Sequence, residues 1–368
     1  MNKFVKKMKP YKLASHAIWE SENKETILKL DWNESTIEPP ERVKNALMNS
    51  LVNNLIRYYP DVSNKDLIIK ISNYVGVPKE YIQYFCSSDS AHESIIRTLI
   101  NENDKILMLA PTYDNFRTTG EAQGATICYS IFEDNYYWSL KKFESDLNKF
   151  QPQMAYLCNP NNPTGTLIPK GDIHYLVEKY KGIYFIIDEA YYEFAKLTCA
   201  DFVNSFNNII ITRTFSKAFS LAGMRMGYII ASQDLLGAIN KVRNAKNIPQ
   251  LSQIAALNAL DEVEYMNNYV KEVNQAKRFF YDKLKNINIG QKNIVYGEGN
   301  FLVIEFKSMN DKKAFIERLK SNLIFVRDLS HMKEVELCVR ITIGTKKQML
   351  YVIRILEQMY EVKKDSII

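Results

Sequence analysis

A single lysine stands among small, hydroxyl-bearing and apolar residues in the stretch TRTFSKAFSLAGMRMG, residues 212–227. Lys217 closely follows Thr214 and Ser216, and Arg225 comes eight positions after it. Lysine is the side chain least suited to such surroundings, so its amine is a candidate for chemistry. Such an amine can condense with a carbonyl compound to form a Schiff base. Taken alone, however, a lysine after a serine is also typical of a protein surface.

Two further polar groups follow apolar runs of the sequence. FIIDEAYYEF places Asp188 at the end of one run with Tyr191 shortly after it, and YLCNPNNPTG places Asn162 in a turn braced by prolines. Ligands of open α/β sheets bind beyond the carboxyl ends of the strands, and Lys217 follows a third apolar run. We therefore expect the three strand ends to converge on one pocket. Taken singly, Asp188 could cap a helix and Asn162 could serve only its turn.

This combination of residues suits catalysis with pyridoxal 5'-phosphate. The Lys217 amine would form a Schiff base with the aldehyde of the cofactor, and a carboxylate facing the pyridine nitrogen would keep that nitrogen protonated, so that the ring acts as an electron sink. Burying Asp188 without a partner would be costly, and a cationic pyridinium would relieve that cost. Tyr191 and Asn162 would hydrogen-bond the ring oxygen.

The cofactor phosphate requires hydroxyls, a cation and backbone amides. Thr214, Ser216 and Arg225 supply the hydroxyls and the cation. The segment SSDSAHESIIRTLI supplies the amides, because the first N–H groups of a helix point toward an anion. Small polar residues at a helix start also cap it, and here capping and phosphate binding coincide.

Six short apolar runs predict the strands that must position these residues. Their apolar residues are continuous rather than alternating, which is typical of strands covered on both faces, and helical patterns lie between several of them. Alternating strands and helices indicate an α/β domain with a mostly parallel sheet. The predicted strands are residues 105–110, 125–130, 154–159, 184–189, 208–213 and 226–231.

The pattern changes after residue 248. A long helical segment leads into NFLVIEF and VELCVRITIG, which together form an α+β pattern. The 368 residues of the chain are also more than one simple core requires. We therefore predict an N-terminal arm over 1–35, a large cofactor-binding domain over 36–248 and a small C-terminal domain over 249–368.

Composition narrows the classes of function. The net charge of +6 is mild for this length, and the basic residues form no stripe of the kind that nucleic-acid binding requires. Five scattered cysteines without CxxC spacing indicate reduced thiols and hence a cytoplasmic protein. Four histidines without a ligand cluster argue against a metal site, and no apolar run is long enough to predict a membrane span.

Six blocks of the sequence carry a resemblance to a known family, and along the chain they follow the order found in that family. They lie within roughly residues 30–345 and are NPNNPTG, DEAYYEF, TFSKAFSLAGMRMG, RYYPD, APTYDNF and VRITIGT. The sequence resembles fold-type I pyridoxal-phosphate enzymes of the class I/II aminotransferase group. Within that group it is most similar to histidinol-phosphate aminotransferases and their decarboxylase relatives. The resemblance implies a large domain with a mostly parallel seven-stranded sheet and a smaller α+β C-terminal domain.

The resemblance also implies a role for each matching residue. Lys217 would form the imine and shuttle the substrate proton, and Asp188 would pair with the pyridine nitrogen. Asn162 and Tyr191 would bond the ring oxygen, and Tyr113 would stack on the ring face. The implied phosphate contacts are Ser88, Asp89, Ser90, Thr214, Ser216 and Arg225.

Four more positions concern the partner subunit and the substrate. By resemblance, Tyr59 in RYYPD would reach the cofactor phosphate of a second subunit, which implies a homodimer with shared sites; the adjacent Tyr58 is a possible stand-in. Arg340 in VRITIGT would grip a substrate carboxylate or phosphate. Arg327, 13 positions earlier, matches an arginine that the histidinol-phosphate group uses on the substrate phosphate.

Departures from the family bear on the substrate. Ser88 and Ser90 replace the glycine and glutamate usual around Asp89, a change that the phosphate amides would survive. Trp32 stands where the family tends to have a small residue, and its bulk favours a small substrate over an imidazole.

We therefore predict an aminotransferase that moves an amino group, with glutamate as the expected donor, onto a small phosphorylated carbonyl compound. A phospho-amino-acid decarboxylase shares these motifs and remains the alternative enzyme. From a different class, the chain could be a cofactor-binding regulator or an inactive homologue. The segment before residue 30 is too short for a helix-turn-helix unit, which argues against a regulator.

Overall fold

The computed structural model of the protein describes residues 1–10, 19, 22, 24–53 and 55–360. Its largest sheet consists of β2 (Ile82–Phe85), β3 (Lys105–Ala110), β4 (Thr126–Ile131), β5 (Met154–Cys158), β6 (Tyr184–Asp188), β7 (Ile209–Thr214) and β8 (Gly227–Ala231). Their order across the sheet is β2-β8-β7-β6-β5-β3-β4. Neighbouring strands run parallel except at β8, which is antiparallel to both β7 and β2. The predicted mostly parallel seven-stranded sheet is confirmed.

This sheet is covered on both faces, as its continuous apolar runs predict. In β3, Leu107 and Leu109 belong to one hydrophobic core, whereas Ile106 and Met108 belong to a second. Successive side chains of a strand point to opposite faces, so the two cores lie on opposite sides of the sheet. The loops after the carboxyl ends of the parallel strands remain available for a site.

Helices lie between and after the strands. Within the described ranges, none is both long and apolar enough to cross a membrane. In chain order they are α1 (Glu41–Val52), α2 (Lys65–Val75), α3 (Ser87–Leu99), α4 (Asn115–Gln123), α5 (Leu140–Phe150), α6 (Lys170–Lys179), α7 (Tyr192–Ala195), α8 (Gln233–Asn240), α9 (Gln250–Ala259), α10 (Val263–Leu284), α11 (Met309–Lys320) and α12 (Lys346–Met359).

A second sheet has five strands, four of which follow α10. Its strands are β1 (Leu28–Leu30), β9 (Gln291–Val295), β10 (Phe301–Phe306), β11 (Ile324–Asp328) and β12 (Cys338–Thr342), in the order β1-β11-β12-β10-β9. Strand β1 pairs parallel with β11, and the other pairs are antiparallel. Strand β1, within the segment expected to be an arm, is thus part of a sheet built mainly from the C-terminal third. This places the residues directly after β1 beside β12.

Candidate active site

Lys217 lies in the loop after β7, as expected from its place behind an apolar run. Its Nζ donates a hydrogen bond of 2.9 Å to the main-chain oxygen of Trp32 and lies 5.9 Å from the centre of the Tyr191 ring. Burial, and next the neighbouring Arg340 guanidinium, lowers the pKa of Lys217 to about 8. A larger fraction of this lysine is therefore a neutral, nucleophilic amine near neutral pH than of an ordinary lysine.

Asp188 ends β6 and is almost fully buried. Its Oδ2 accepts a hydrogen bond of 2.7 Å from the Tyr156 hydroxyl, and its Oδ1 accepts from Thr212 Oγ1 and from the Ala190 N–H, both at 3.2 Å. The carboxylate is thus held in one orientation at the carboxyl end of its strand.

A buried histidine stands behind this carboxylate. His92 Nε2 lies 3.1 Å from Thr212 Oγ1 and 3.9 Å from Asp188 Oδ2, and the ring packs edge-on against Tyr156. Burial raises the pKa of Tyr156, which keeps its hydroxyl a hydrogen-bond donor to Asp188. The sequence analysis did not identify Tyr156 or His92. Tyr156 sits inside the apolar run MAYLCN, and His92 lies on a helix remote from β6 in sequence, so only the tertiary structure shows their contacts.

Asn162 is brought together with Arg340. Arg340 Nη1 donates to Asn162 Oδ1 and Nη2 donates to the main-chain oxygen of Asp31, both at 2.6 Å. Since Oδ1 of Asn162 accepts from arginine, its Nδ2 is the group that can donate to another ligand. Arg340 itself is 6% exposed, and its guanidinium lies over the Phe301 ring.

The neighbouring asparagines of the NPNNPTG turn have structural contacts. Asn161 Nδ2 donates to the Pro111 main-chain oxygen at 3.0 Å, and its Oδ1 accepts from Thr112 Oγ1 at 2.6 Å. Asn159 exchanges two hydrogen bonds with the main chain of Ile168. These amides hold the turn that presents Asn162.

A cluster of hydroxyls and an arginine gathers at the start of α3. Thr214 Oγ1 donates to Ser216 Oγ at 2.9 Å, and Arg225 Nη1 lies 3.5 Å from the same oxygen. Asp89 pairs with Arg225 at 3.3 Å and accepts a hydrogen bond of 2.9 Å from the Tyr113 hydroxyl. The structure therefore brings together five residues that the sequence assigned to cofactor binding, from three separate segments.

The backbone at this helix start is tightly constrained. Ser87 has φ of 76°, in the left-handed region, and its Oγ lies 3.4 Å from the Ser90 N–H. A side chain at Gly227 would come within 2.6 Å of the Ser88 nitrogen, so only glycine allows β8 to approach here. The N–H groups of Ser88 and Asp89 lie in the first turn of α3, where a helix has no internal acceptor for them.

The two arginines predicted to bind the substrate are neighbours across a strand pair. Arg327 in β11 is directly opposite Arg340 in β12, and 8% of its surface is exposed. Tyr58 and Tyr59, by contrast, are 59% and 80% exposed and lie outside this cluster. Their predicted role in a second subunit stays a prediction.

The donor set fits pyridoxal phosphate chemically. It combines an amine with a lowered pKa, a buried carboxylate held by three hydrogen bonds, and a cation with hydroxyls at a helix start. Within the part of the chain that the structure describes, no group of three histidine, cysteine or acidic side chains is placed to hold a metal ion. The individual contacts with the cofactor remain proposals.

Known proteins resemble this chain over most of its length. A relative from Campylobacter jejuni named dihydroxyacetone phosphate transaminase is 40% identical over 95% of each chain. A histidinol-phosphate aminotransferase from a Thermoanaerobacter species is 32% identical over 90% of this chain and 92% of its own.

Solved structures share the fold. A histidinol-phosphate aminotransferase from Sinorhizobium meliloti, solved in complex with pyridoxal-5'-phosphate, has a TM-score of 0.86 at 20% identity over 98% of each chain. The L-threonine-O-3-phosphate decarboxylase from Porphyromonas gingivalis has a TM-score of 0.78 at 20% identity, over 90% of this chain and 99% of that one. At such identities the likeness concerns the fold alone.

Residues 25–356 match the family described as aminotransferase class I and II. This match confirms the predicted fold-type I enzyme class and its cofactor. The chain belongs to the class I and II aminotransferases and is a pyridoxal-phosphate-dependent transaminase.

Proposed function

We propose that this transaminase moves the amino group of glutamate onto a small phosphorylated ketone, with dihydroxyacetone phosphate as the leading candidate acceptor. The observation that carries the proposal is the pairing of Arg327 with Arg340 across β11 and β12. Side chains directly opposite on antiparallel strands are close neighbours, and like charges there destabilise the pair. A doubly charged phosphate between the two guanidinium groups would turn this repulsion into binding energy.

The position of Arg340 relates that anion site to the reacting groups. Its hydrogen bonds to Asn162 and to the Asp31 carbonyl fix the guanidinium plane, and neutral acceptors orient a guanidinium without cancelling its charge. Arg340 is also close enough to Lys217 to contribute to lowering its pKa. A phosphate held by Arg340 would therefore lie within the electrostatic reach of the Lys217 amine.

Trp32 supports the small size of the substrate. Its main-chain oxygen accepts the hydrogen bond of Lys217, and its half-buried ring lies 4.8 Å from Lys29 Nζ. A bulky indole on a residue whose main chain contacts the amine of Lys217 would reduce the space for a large acceptor. The dihydroxyacetone phosphate transaminase among the relatives points to the same size class, a three-carbon ketone with one phosphate.

The roles of this chain's residues follow from their positions. Bound pyridoxal phosphate supplies an electron sink for breaking the C–H bond next to the substrate nitrogen. Lys217 would take up that proton and return it at C4′ of the cofactor, while Asp188 would hold a proton on the pyridine nitrogen. Asn162 Nδ2 and the Tyr191 hydroxyl would donate to the ring oxygen, and Tyr113 would stack on the ring. The proposed phosphate contacts are Ser88, Asp89, Ser90, Thr214, Ser216 and Arg225.

We also propose a homodimer. Exposed apolar side chains concentrate between residues 48 and 69, including Val52, Ile56 and Tyr59 at 78%, 60% and 80% exposure. Exposed apolar side chains concentrated on one segment favour an interaction surface, and a second copy of the chain would cover them. This surface carries Tyr59, the residue proposed to reach the partner's cofactor phosphate, with Tyr58 as the alternative.

The free cysteines support a cytoplasmic location as a further proposal. All five are unbonded in the structure, and four of them are buried. Unpaired thiols are typical of reducing compartments. Fractionation of the native cells, followed by immunodetection, would test the location, and recovery outside the cytoplasm would contradict it.

Initial-rate assays with glutamate as donor test the substrate proposal. The acceptors would be dihydroxyacetone phosphate, unphosphorylated dihydroxyacetone and the imidazole-bearing phosphoketone of the histidinol-phosphate enzymes, with formation of 2-oxoglutarate as the readout. We expect the highest kcat/KM with dihydroxyacetone phosphate. Equal rates without the phosphate would refute the anion site, and preference for the imidazole substrate would refute the role of Trp32.

The same enzyme preparation can distinguish a transaminase from the alternative decarboxylase. A transaminase mixed with glutamate alone loses the visible band of its cofactor, because the cofactor retains the amino group. A decarboxylase would instead release carbon dioxide from a phosphorylated amino acid and keep the band. The second result would overturn the proposed reaction.

A further inference from the structure

Asn33 lies three residues after the end of β1, and each of its polar groups makes a hydrogen bond. Its N–H donates to Thr342 Oγ1 at 3.0 Å, and its main-chain oxygen accepts from Asn300 Nδ2 at 3.1 Å. Its side-chain Oδ1 accepts from Thr342 Oγ1, and its Nδ2 donates to the Tyr191 hydroxyl, both at 3.0 Å. The residue is fully buried and has φ of 56°, a conformation that asparagine tolerates better than most residues.

The direction of these hydrogen bonds is fixed by the backbone. A main-chain N–H can only donate, so Thr342 Oγ1 accepts from Asn33 and has its own proton to give to Asn33 Oδ1. The amide oxygen of Asn33 therefore faces Thr342, and its NH2 group faces Tyr191. The Tyr191 oxygen accepts from that group, and its own proton must point to a different acceptor.

The two ends of this hydrogen-bond chain lie at functionally important places. Thr342 is two residues after Arg340 in β12, so both side chains are on the same face of that strand. At the other end of the hydrogen-bond chain, the Tyr191 ring lies 5.9 Å from Lys217 Nζ. The chain Thr342–Asn33–Tyr191 thus connects the strand that carries the substrate arginine to the residue next to the catalytic lysine.

We propose that Asn33 is a positioning residue that aims the Tyr191 proton at the ring oxygen of the bound cofactor. The inference rests on the cofactor contact of Tyr191 in the proposed function. Without the Asn33 amide, the Tyr191 hydroxyl could rotate or use its proton elsewhere. The Arg340 guanidinium acts on Tyr191 electrostatically and cannot accept that proton. Asp188 also acts on Tyr191, but its carboxylate already accepts hydrogen bonds from Tyr156, Thr212 and the Ala190 N–H.

The test uses the holoenzyme and the variants Asn33→Gly, Tyr191→Phe and their combination. Glycine accepts a φ of 56° and retains both main-chain hydrogen bonds, so Asn33→Gly removes only the amide. The readout is the pH midpoint of the change in the cofactor's visible absorbance. A donor to the ring oxygen stabilises its ionised form, so losing that donor should make the cofactor's shared proton harder to remove.

We expect Asn33→Gly and Tyr191→Phe each to raise the midpoint by about one pH unit, the equivalent of about 1.4 kcal/mol. Because Asn33 acts through Tyr191, the double variant should match Tyr191→Phe rather than show the sum. Additive shifts in the double variant would overturn the proposal. If Tyr191→Phe alone left the midpoint unchanged, the cofactor contact of Tyr191, and with it this inference, would be refuted.

Replacing the hydrogen-bond donor of Asn33 by an acceptor gives an independent test of the proposal. Asn33→Asp has the same shape but replaces the donor with a second acceptor, which would draw the Tyr191 proton away from the cofactor. We expect its midpoint to rise at least as far as that of Asn33→Gly, with a lower kcat and a nearly unchanged KM for glutamate. A wild-type midpoint in folded, cofactor-loaded Asn33→Asp enzyme would contradict the proposed orientation.

Discussion

Lys217 combines two properties that an ordinary surface lysine lacks. Its pKa is lowered to about 8, and its Nζ is fixed by a hydrogen bond to the Trp32 carbonyl. We expect Lys217→Ala to reduce transamination by roughly 100- to 10,000-fold, the range for losing a general acid–base group. The measurement is kcat with glutamate, and Lys271→Ala, an exposed lysine of α10, is the matched control.

The lowered pKa of Lys217 also predicts a pH dependence. Below pH 8 the lysine is mostly protonated and cannot attack an aldehyde, whereas above pH 8 it is mostly neutral. The rate at which apoenzyme captures pyridoxal phosphate should therefore rise from pH 6 to about 8 and then level off, as stopped-flow absorbance would show. A rate that keeps rising toward the ordinary lysine value of about 10.4 would contradict the effect of burial.

Tyr156 provides a separate prediction for the carboxylate. Tyr156→Phe removes the hydrogen bond of 2.7 Å to Asp188 Oδ2. A hydrogen bond to a charged group contributes about 1.5–3 kcal/mol, so cofactor affinity should fall by about 10- to 100-fold. Equilibrium titration of apoenzyme would measure this fall. Tyr84→Phe, which removes a hydrogen bond from a buried tyrosine to the Asp61 carbonyl, should leave the affinity unchanged.

At the scale of single residues, sequence reasoning identified the groups that follow strands. Lys217, Asp188 and Asn162 are polar residues at the ends of apolar runs, and the sequence alone shows this change from apolar to polar. Asn33 and Tyr156 have no such signal, because an asparagine before a glutamate and a tyrosine in an apolar run are common. Their importance comes from partners more than 30 residues away, which only the folded chain brings near.

Among secondary-structure elements, strands β3 to β8 were predicted to within one residue at either end, because their apolar runs are long and bounded by polar residues. Strand β2 was missed, since IQYF is short and contains a glutamine. Strand β1 has three residues, and its partner β11 is nearly 300 positions away in the sequence. No local pattern could predict that pairing, which is why its segment was expected to be an arm.

The register of β11 against β12 leads to a prediction about the substrate. Arg327→Gln should raise KM for the phosphorylated acceptor by about 10- to 100-fold, the effect of a lost charge-assisted contact, and should leave KM for glutamate nearly unchanged. The control is Arg318→Gln, an exposed arginine on α11. An equal rise in both KM values would indicate damage to the strand pair rather than loss of a phosphate contact.

Helix α10 supports the site through a buried lysine. Lys277 Nζ donates to the main-chain oxygens of Gly297 and Gly299 at 2.7 and 2.9 Å. The loop that these bonds hold contacts the turn that carries Asn162, because the Glu298 N–H donates to the Gly165 oxygen at 2.6 Å. Lys277 therefore supports, through this loop, the turn that presents Asn162.

Burial lowers the pKa of Lys277 to about 7 in the folded protein. Its unfolded pKa is about 10.4, so between these values the unfolded chain binds more protons and folding stability rises with pH. Lys277→Met removes this contribution. Between pH 7 and 9, the free energy of unfolding of the wild type minus that of the variant should increase by up to about 1.4 kcal/mol per pH unit. Parallel stability curves in urea titrations at both pH values would contradict the buried, neutral lysine.

For the whole molecule, the single chain completes most of the proposed site but leaves Tyr59 outside it. The Tyr59 ring is 80% exposed and lies 5.1 Å from Lys246 Nζ, away from Arg225 and Ser216. If Tyr59 serves the cofactor phosphate of a second subunit, then each site is built from two chains. Such a contact would join Tyr59 of one copy of the chain to the cofactor site of another.

Subunit complementation can detect such a shared site. Lys217→Ala and Tyr59→Ala damage different components, and in a mixed dimer one of the two sites receives Lys217 from one chain and Tyr59 from the other. Co-expression in equal amounts gives half mixed dimers, each with one intact site, so activity should recover to about a quarter of wild type. Each variant alone should stay well below that level. If the mixture has only the average activity of the two variants, Tyr59 acts within its own chain or not at all, and repeating the experiment with Tyr58→Ala decides whether the neighbouring tyrosine makes the contact.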